Sequence, residues 1–332
     1  MKVLVHGCGV VGTRAARQLL TVPGVDELVL SDLRLDHVAG VARSLGASVS
    51  ALDGGVSWWS IGADLVVLAG PSEQVGDARQ AVEAGSHVVS TSDSLDDVEA
   101  LLRLDLSARE AGRHVIVGAG FSPGLTCVLA RHASAELAQV EEIHVAKLGT
   151  AGPACARQHH EALRTSGKDW RDGDWADVRG GSGRELCWFP DPIAGSDCYR
   201  AALCEPILLH DLFPNAQRIT SRMAATRRDR LTARLPMMRK PHAEAGAGAV
   251  RVEVRGTRNG MSEVIVFGCM DRPSVAAGTV VATGVGEVFG DRVGLPGARG
   301  LGARVEPIPF LAELARRGVK CARFEGSPAH AL

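Results

Sequence analysis

The stretch Val3-Leu4-Val5-His6-Gly7-Cys8-Gly9-Val10-Val11-Gly12 decides how the rest of the chain is read. Three apolar residues make a short strand that runs straight into a G-x-G-x-x-G turn. Beyond the turn, Val10, Ala15, Ala16, Leu19 and Leu20 recur at helical spacing. A second apolar run, Leu28-Val29-Leu30, ends at Ser31-Asp32, which places an acidic residue about 20 positions beyond the last glycine.

Strand, glycine turn, helix and acidic residue together form a dinucleotide-binding fingerprint, and each part has a physical reason. Gly7 permits the tight turn, Gly9 lets the backbone approach a pyrophosphate, and Gly12 lets the helix pack close to the strand. Val10 and Val11 open the helix, whose unpaired N–H groups and positive dipole end favour a phosphate. Asp32 is placed to accept hydrogen bonds from the adenosine ribose. It would repel a 2′-phosphate, which favours NAD, while Arg34 could pair with that phosphate and leaves NADP possible.

The α/β alternation continues through Leu65–Leu68, a helical stretch over 75–84, His87–Val89, a helix over 95–111 and His114–Val117. This predicts a Rossmann-type doubly wound parallel sheet over residues 1–120. Loops at the carboxyl ends of its strands, Gly70-Pro71-Ser72 and Thr91-Ser92-Asp93, are expected to contact the cofactor.

Composition narrows the remaining possibilities. A chain of 332 residues is long enough for two domains, and a net charge of −1 with interspersed signs offers no track for nucleic acid or anionic lipid. A small-molecule substrate is the expected partner. The apolar stretch from Val275 to Phe289 is too short to span a bilayer and contains Glu287. Eight cysteines lack any C-x-x-C pair and read as reduced thiols of a cytoplasmic protein. The tyrosine–lysine chemistry of short-chain dehydrogenases is excluded, because the only tyrosine is Tyr199 and position 203 is Leu203.

After the last strand of the first unit comes Gly118-Ala119-Gly120-Phe121-Ser122-Pro123-Gly124-Leu125 and then an apolar helix. With Thr91-Ser92-Asp93, the turn at Gly294-Leu295-Pro296 and the final segment from Phe310 to Val319, this resembles the saccharopine dehydrogenase and saccharopine reductase superfamily, as a short, lysine 6-dehydrogenase-like member. The resemblance covers the N-terminal third well and the C-terminal fifth loosely; His6, where a small or apolar residue is usual, departs from it. It implies an α+β substrate domain with a mostly antiparallel sheet over residues 121–272. It also implies that a C-terminal segment, 273–332, packs back on the first domain, and that the chemistry acts on imines or amines of amino-acid-derived substrates.

The middle of the chain supplies the candidates for that chemistry. Residues 140–150 alternate as a strand with Lys147 on the side of Ile143 and Val145; desolvation there is expected to lower the lysine's pKa toward neutrality. Gly152-Pro153 opens a helix carrying His159 and His160, which point about 100° apart, so at most one of them is expected to face a given pocket. Cys155 shares a helix face with His159, but no second ligand pair has metal spacing, and no metal is expected. Arg200 could grip a substrate carboxylate, with Tyr199 beside it. Asp172-Gly173 and Asn259-Gly260 read as hairpin turns, and Thr226 with Asp229 as a capping box. A sheet with one apolar face invites a helix layer or a second copy, so a homodimer is expected.

These observations predict an NAD(P)-dependent oxidoreductase acting on a C–N bond of a small amino-acid-derived substrate. A C=O or C=C reductase and a non-catalytic NAD(P)-sensing protein remain as alternatives.

Overall fold

The computed structural model describes residues 1–324 apart from 54, 72, 238–240 and 244. The first unit runs β1 (Lys2–His6), α1 (Val10–Leu19), β2 (Glu27–Ser31), α2 (Leu35–Leu45), β3 (Val49–Ala51), β4 (Leu65–Leu68), α3 (Val75–Glu83), β5 (His87–Ser90), α4 (Leu95–Leu102), α5 (Asp105–Glu110) and β6 (His114–Val117). All its strand pairs are parallel, in the order β3-β2-β1-β4-β5-β6, with the strand order reversing between β1 and β4. Helices cover both faces, so β1 and β4 are buried as continuous apolar runs rather than alternating ones. The helix expected over 95–111 is two: Asp105 starts α5 afresh, and its carboxylate accepts the backbone N–H of Ala298 at 3.0 Å, turning α5 toward a distant segment.

The second unit contains α6 (Leu125–Ser134), β7 (Gln139–Leu148), α7 (Pro153–Arg164), β8 (Gly167–Arg171), β9 (Asp174–Val178), β10 (Glu185–Trp188), β11 (Gly195–Tyr199), α8 (Glu205–Leu212), β12 (Arg218–Ala224), α9 (Arg227–Thr232), β13 (Gly248–Arg258) and β14 (Met261–Asp271). Its sheet is antiparallel except where β12 runs parallel to β7. The hairpin turns carry the left-handed conformations their residues favour, at Asp172, Gly173, Asn259 and Gly260. Thr226 and Asp229 form the reciprocal capping box at the start of α9.

On β7 the pleat sends Ile143, Val145 and Lys147 inward and Glu142 and His144 outward. The inner row joins one continuous core that extends from the first sheet through α6 to Val250, Val252 and Val254 of β13. The outward row is polar, with His144 and Glu142 3.0 Å apart and Arg218 and Arg255 alongside.

The C-terminal part contains α10 (Pro273–Phe289), β15 (Gly297–Gly300), α11 (Leu301–Arg304), α12 (Pro307–Arg316) and β16 (Cys321–Arg323). The helix α10 is buried nearly all round and lies against α1, where a Cβ on Gly278 would meet the Ala15 nitrogen at 2.7 Å. Strand β15 extends the first sheet beside β6, whereas β16 pairs with β14 and belongs to the second sheet. Among the described residues no helix is long and apolar enough to cross a membrane.

Candidate active site

The glycine turn lies at the carboxyl end of β1, beside the point where the strand order reverses, which is where open α/β sheets bind ligands. Gly7 has φ +99°, and a Cβ there would come within 2.5 Å of the Gly70 nitrogen. A Cβ on Gly12 would lie 1.9 Å from the Gly7 carbonyl oxygen. Both positions are therefore closed to any side chain. Gly9 is the opposite case: nothing lies within 4 Å of the position its Cβ would take. It is also the N-cap of α1 and places no side-chain acceptor on the first N–H groups of that helix, at Val10 and Val11.

Open space over Gly9, uncapped N–H groups and a positive helix end suit a pyrophosphate. Asp32 is held at the rim by the Cys8 N–H at 2.8 Å and the Arg34 N–H at 3.0 Å, and each carboxylate oxygen keeps a further lone pair. The Arg34 guanidinium, mostly exposed, lies 3.7 Å from the same carboxylate. The residues present thus fit a dinucleotide.

The neighbouring loops are fixed from beneath. Gln74, buried, donates to the Gly70 carbonyl at 2.8 Å and accepts from Ser90 Oγ at 2.7 Å; Ser90 Oγ in turn accepts from the Ser92 N–H at 3.1 Å. Thr91 donates from both N–H and hydroxyl to the Leu68 carbonyl, so its side chain braces β5 against β4. The Pro71 carbonyl accepts from Gln158 of α7 at 3.3 Å, which ties this loop to the second unit. Ser72 lies outside the described residues.

A group of ionisable side chains meets at the end of β5. His159 Nε2 approaches Asp93 Oδ2 and Cys155 Sγ, each at 3.5 Å, and Lys147 Nζ lies 3.9 Å from the same Asp93 oxygen and 3.5 Å from the Ser122 carbonyl. Glu205, fully buried at the start of α8, accepts from Ser122 Oγ and, at 3.3 Å, from Ser221 Oγ. The helix N-terminus favours an acidic residue at that point.

Electrostatics reverse one expectation. Burial does act to lower the Lys147 pKa, but Glu205 and Asp93 outweigh it and the ammonium is held above its usual value, not near neutrality. Burial likewise acts to raise Asp93, yet the hydrogen bond from His159 and the Lys147 charge keep it below the usual carboxylate range. Burial and Lys147 both act against the imidazolium of His159, but Cys155 and Asp93 prevail and raise it to about 9. The group therefore brings a carboxylate, an ammonium and an imidazolium together, with Lys147 and His159 buried and Asp93 partly exposed.

Asp93, Cys155 and His159 place one donor atom each within 4.8 Å of one another, the arrangement of a three-ligand metal site. Lys147 opposes that use, since its ammonium occupies one side of the carboxylate, and a protonated His159 offers no lone pair.

The structure thus gathers Lys147 and His159 and adds Asp93, Glu205 and Ser122, to which the sequence by itself assigns no part in the chemistry. Asp93 has a signal, its position next to Thr91-Ser92; Glu205 has none. Three other candidates lie elsewhere. His160 points away, 2.8 Å from the Leu235 carbonyl. Tyr199 is 1% exposed, its ring packed with Leu163, Leu203 and Met223 in a separate small core. Arg200 is 3.7 Å from buried Asp169, which also accepts from Arg171 at 2.6 Å, so its guanidinium balances that acid.

No protein-family model matches the chain. Among solved structures, apo saccharopine dehydrogenase (L-Glu forming) from Saccharomyces cerevisiae superposes over 98% of this chain and 100% of that one, with a TM-score of 0.69 at 16% identity. The DAP dehydrogenase of C. glutamicum, in complex with DAP, covers 96% and 99% with a TM-score of 0.51 at 15% identity. An engineered D-amino acid dehydrogenase bound to NADP+ covers 96% and 99% with a TM-score of 0.50 at 15% identity. The chain has the two-unit fold of saccharopine dehydrogenase, from the glycine turn through the mixed sheet to the returning C-terminal strands.

Proposed function

We propose that this protein is an NAD(P)-dependent oxidoreductase acting on a C–N bond, by imine reduction or amine oxidation, of a small amino-acid-derived substrate. The observation that carries the reading is the Asp93–His159–Lys147 group, with buried Lys147 and His159 meeting Asp93 at the carboxyl end of β5, at the same edge of the first sheet as the open glycine turn. The fold shared with amino-acid dehydrogenases agrees with it.

When bound, the nicotinamide cofactor gives or takes the hydride. Gly9, with the first N–H groups of α1, would hold its pyrophosphate, and Asp32 its adenosine ribose. NAD is the preferred form, with NADP admitted by Arg34. The chain's own residues then have one proton to manage. His159, protonated up to about pH 9, donates it to the substrate nitrogen during reduction and recovers it during oxidation. Asp93 orients the ring and stabilises its charged form. Lys147 balances Asp93 and Glu205 and offers a fixed positive charge to a substrate carboxylate. Burial of Lys147 and His159 limits the access of water to a hydrolysable imine.

The test is direct: purified protein is incubated at alkaline pH with NAD or NADP and a panel of amino acids and amines, and the absorbance of reduced nicotinamide is followed. Turnover with an amino-acid-derived amine is the expected result. Clear cofactor binding with no turnover on amines, or turnover confined to alcohols, would overturn the reading.

A further inference from the structure

At the amino ends of β6 and β15, the opposite end of the first sheet from the glycine turn, lies a cavity of about 300 Å³ lined by Arg109, Leu295, Pro296, Arg299 and Arg304. Three guanidiniums share it with one close carboxylate. Asp105 takes Arg109 at 2.8 Å, Arg299 at 3.4 Å and the Ala298 N–H at 3.0 Å, so one carboxylate is shared by two guanidiniums and a backbone donor. The next acid, Asp211, is 3.9 Å from Arg299 and partly exposed. Arg304 is pinned by the carbonyls of Val293 and Leu295 through one terminal nitrogen, while its Nε is buried with no hydrogen-bond partner. The three guanidiniums lining the cavity thus outnumber the two nearby carboxylates, Asp105 and Asp211.

The geometry points to a binding site for a small oxyanion carrying two negative charges, a phosphate group or a dicarboxylate, held by Arg109, Arg299 and Arg304. A planar guanidinium pairs with two oxygens at once, and three of them around one cavity match a tetrahedral or forked anion rather than a halide. Burial and the neighbouring Arg299 and Arg109 depress the Arg304 guanidinium, so a bound dianion relieves a repulsion already present. The site is separate from the proposed cofactor crevice, because β15 and β6 run the length of the sheet between them. Arg299 also reaches Asp211 of α8, the helix whose first residue is Glu205, so occupancy bears on an element of the candidate active site.

Calorimetric titration of the full chain with inorganic phosphate, and separately with malonate, tests the assignment. Each titration is run with and without saturating NAD, so that phosphate held at the glycine turn is recognised by its displacement. One NAD-insensitive site per chain is expected, with a dissociation constant below about 1 mM, within reach of a few charge-assisted hydrogen bonds. Phosphate alone binding assigns phosphate monoesters, and malonate alone assigns dicarboxylates; both results support the site. Arg109→Gln and Arg299→Gln should each weaken binding about tenfold, while Arg316→Gln, on the exposed face of α12, should not change it. Arg304→Met removes a brace on two carbonyls, so the partly exposed Arg109 and Arg299 are the deciding positions, with thermal midpoints confirming that the variants fold. No saturable NAD-insensitive heat, or equal affinity in the Arg109 and Arg299 variants and the parent, overturns the proposal.

Discussion

The glycine turn and the buried ionisable group are built in opposite ways. The turn is backbone: a side chain is excluded at Gly12 by the Gly7 carbonyl of the same strand–helix junction and at Gly7 by the Gly70 backbone after β4, while Gly9 is left open. The buried group is side chains alone, drawn from the β5 loop, β7, α7 and α8, and it exists only when the second sheet closes over the first. A backbone site tolerates little change in shape and much in distant sequence. A side-chain site has the reverse sensitivities, and variants can separate the two.

The largest expected effect is on the side-chain site. His159→Gln and Asp93→Asn should each lower turnover by about 10²- to 10⁴-fold, the usual contribution of a positioned proton donor, with cofactor affinity unchanged. Fluorescence titration with reduced cofactor beside steady-state rates makes the comparison, and a parallel loss of affinity would merge the two sites. Lys147→Met should abolish turnover as well. It should also cost about 3–5 kcal/mol of stability, because Glu205 is left fully buried without its cation, which chemical denaturation would reveal.

The converse change is Gly12→Ala, whose Cβ meets a carbonyl oxygen rather than a movable side chain. Overpacking of about 1–3 kcal/mol should appear as cofactor affinity reduced roughly ten- to hundredfold. If Gly12→Ala binds the cofactor as tightly as the parent, the turn is not the cofactor site.

The raised His159 pKa gives a pH test with a definite sign. Imine reduction needs the protonated ring, so the rate should hold up to about pH 9 and fall above it, and His159→Gln should remove that limb. Because the folded pKa lies above the unfolded value, the associated stability is complete below about pH 6.5 and is lost as pH rises through about 9. A thermal midpoint that rises over this window would contradict the assignment.

The smallest effect is expected at Tyr199, which has no place in the buried group. Tyr199→Phe keeps the ring in its apolar core, so KM and kcat should match the parent, and stability should move by less than about 1 kcal/mol.

What is legible in the sequence follows the same division. Parallel strands covered on both faces must be apolar runs, and a tight turn before a helix must be glycine, so β1, α1, β2 and the turn are legible from adjacent residues. The hairpins at Asp172-Gly173 and Asn259-Gly260 and the capping box at Thr226 are legible for the same reason. Lys147 can be found because strand alternation places it on the apolar face of β7. Its protonation cannot: desolvation acts on any buried lysine, but Glu205 lies 58 positions away in sequence and outweighs it.

Local sequence therefore determined the parallel sheet, the glycine turn and the two-unit order, because periodicity and backbone conformation depend on neighbours along the chain. Tertiary structure alone decided that Asp93 and Glu205 accompany Lys147 and His159, that Tyr199 and Arg200 serve a separate core and a buried acid, and that β16 joins the second sheet. Charge pairing acts through space, and its sign at one residue is set by groups that a linear pattern does not bring together.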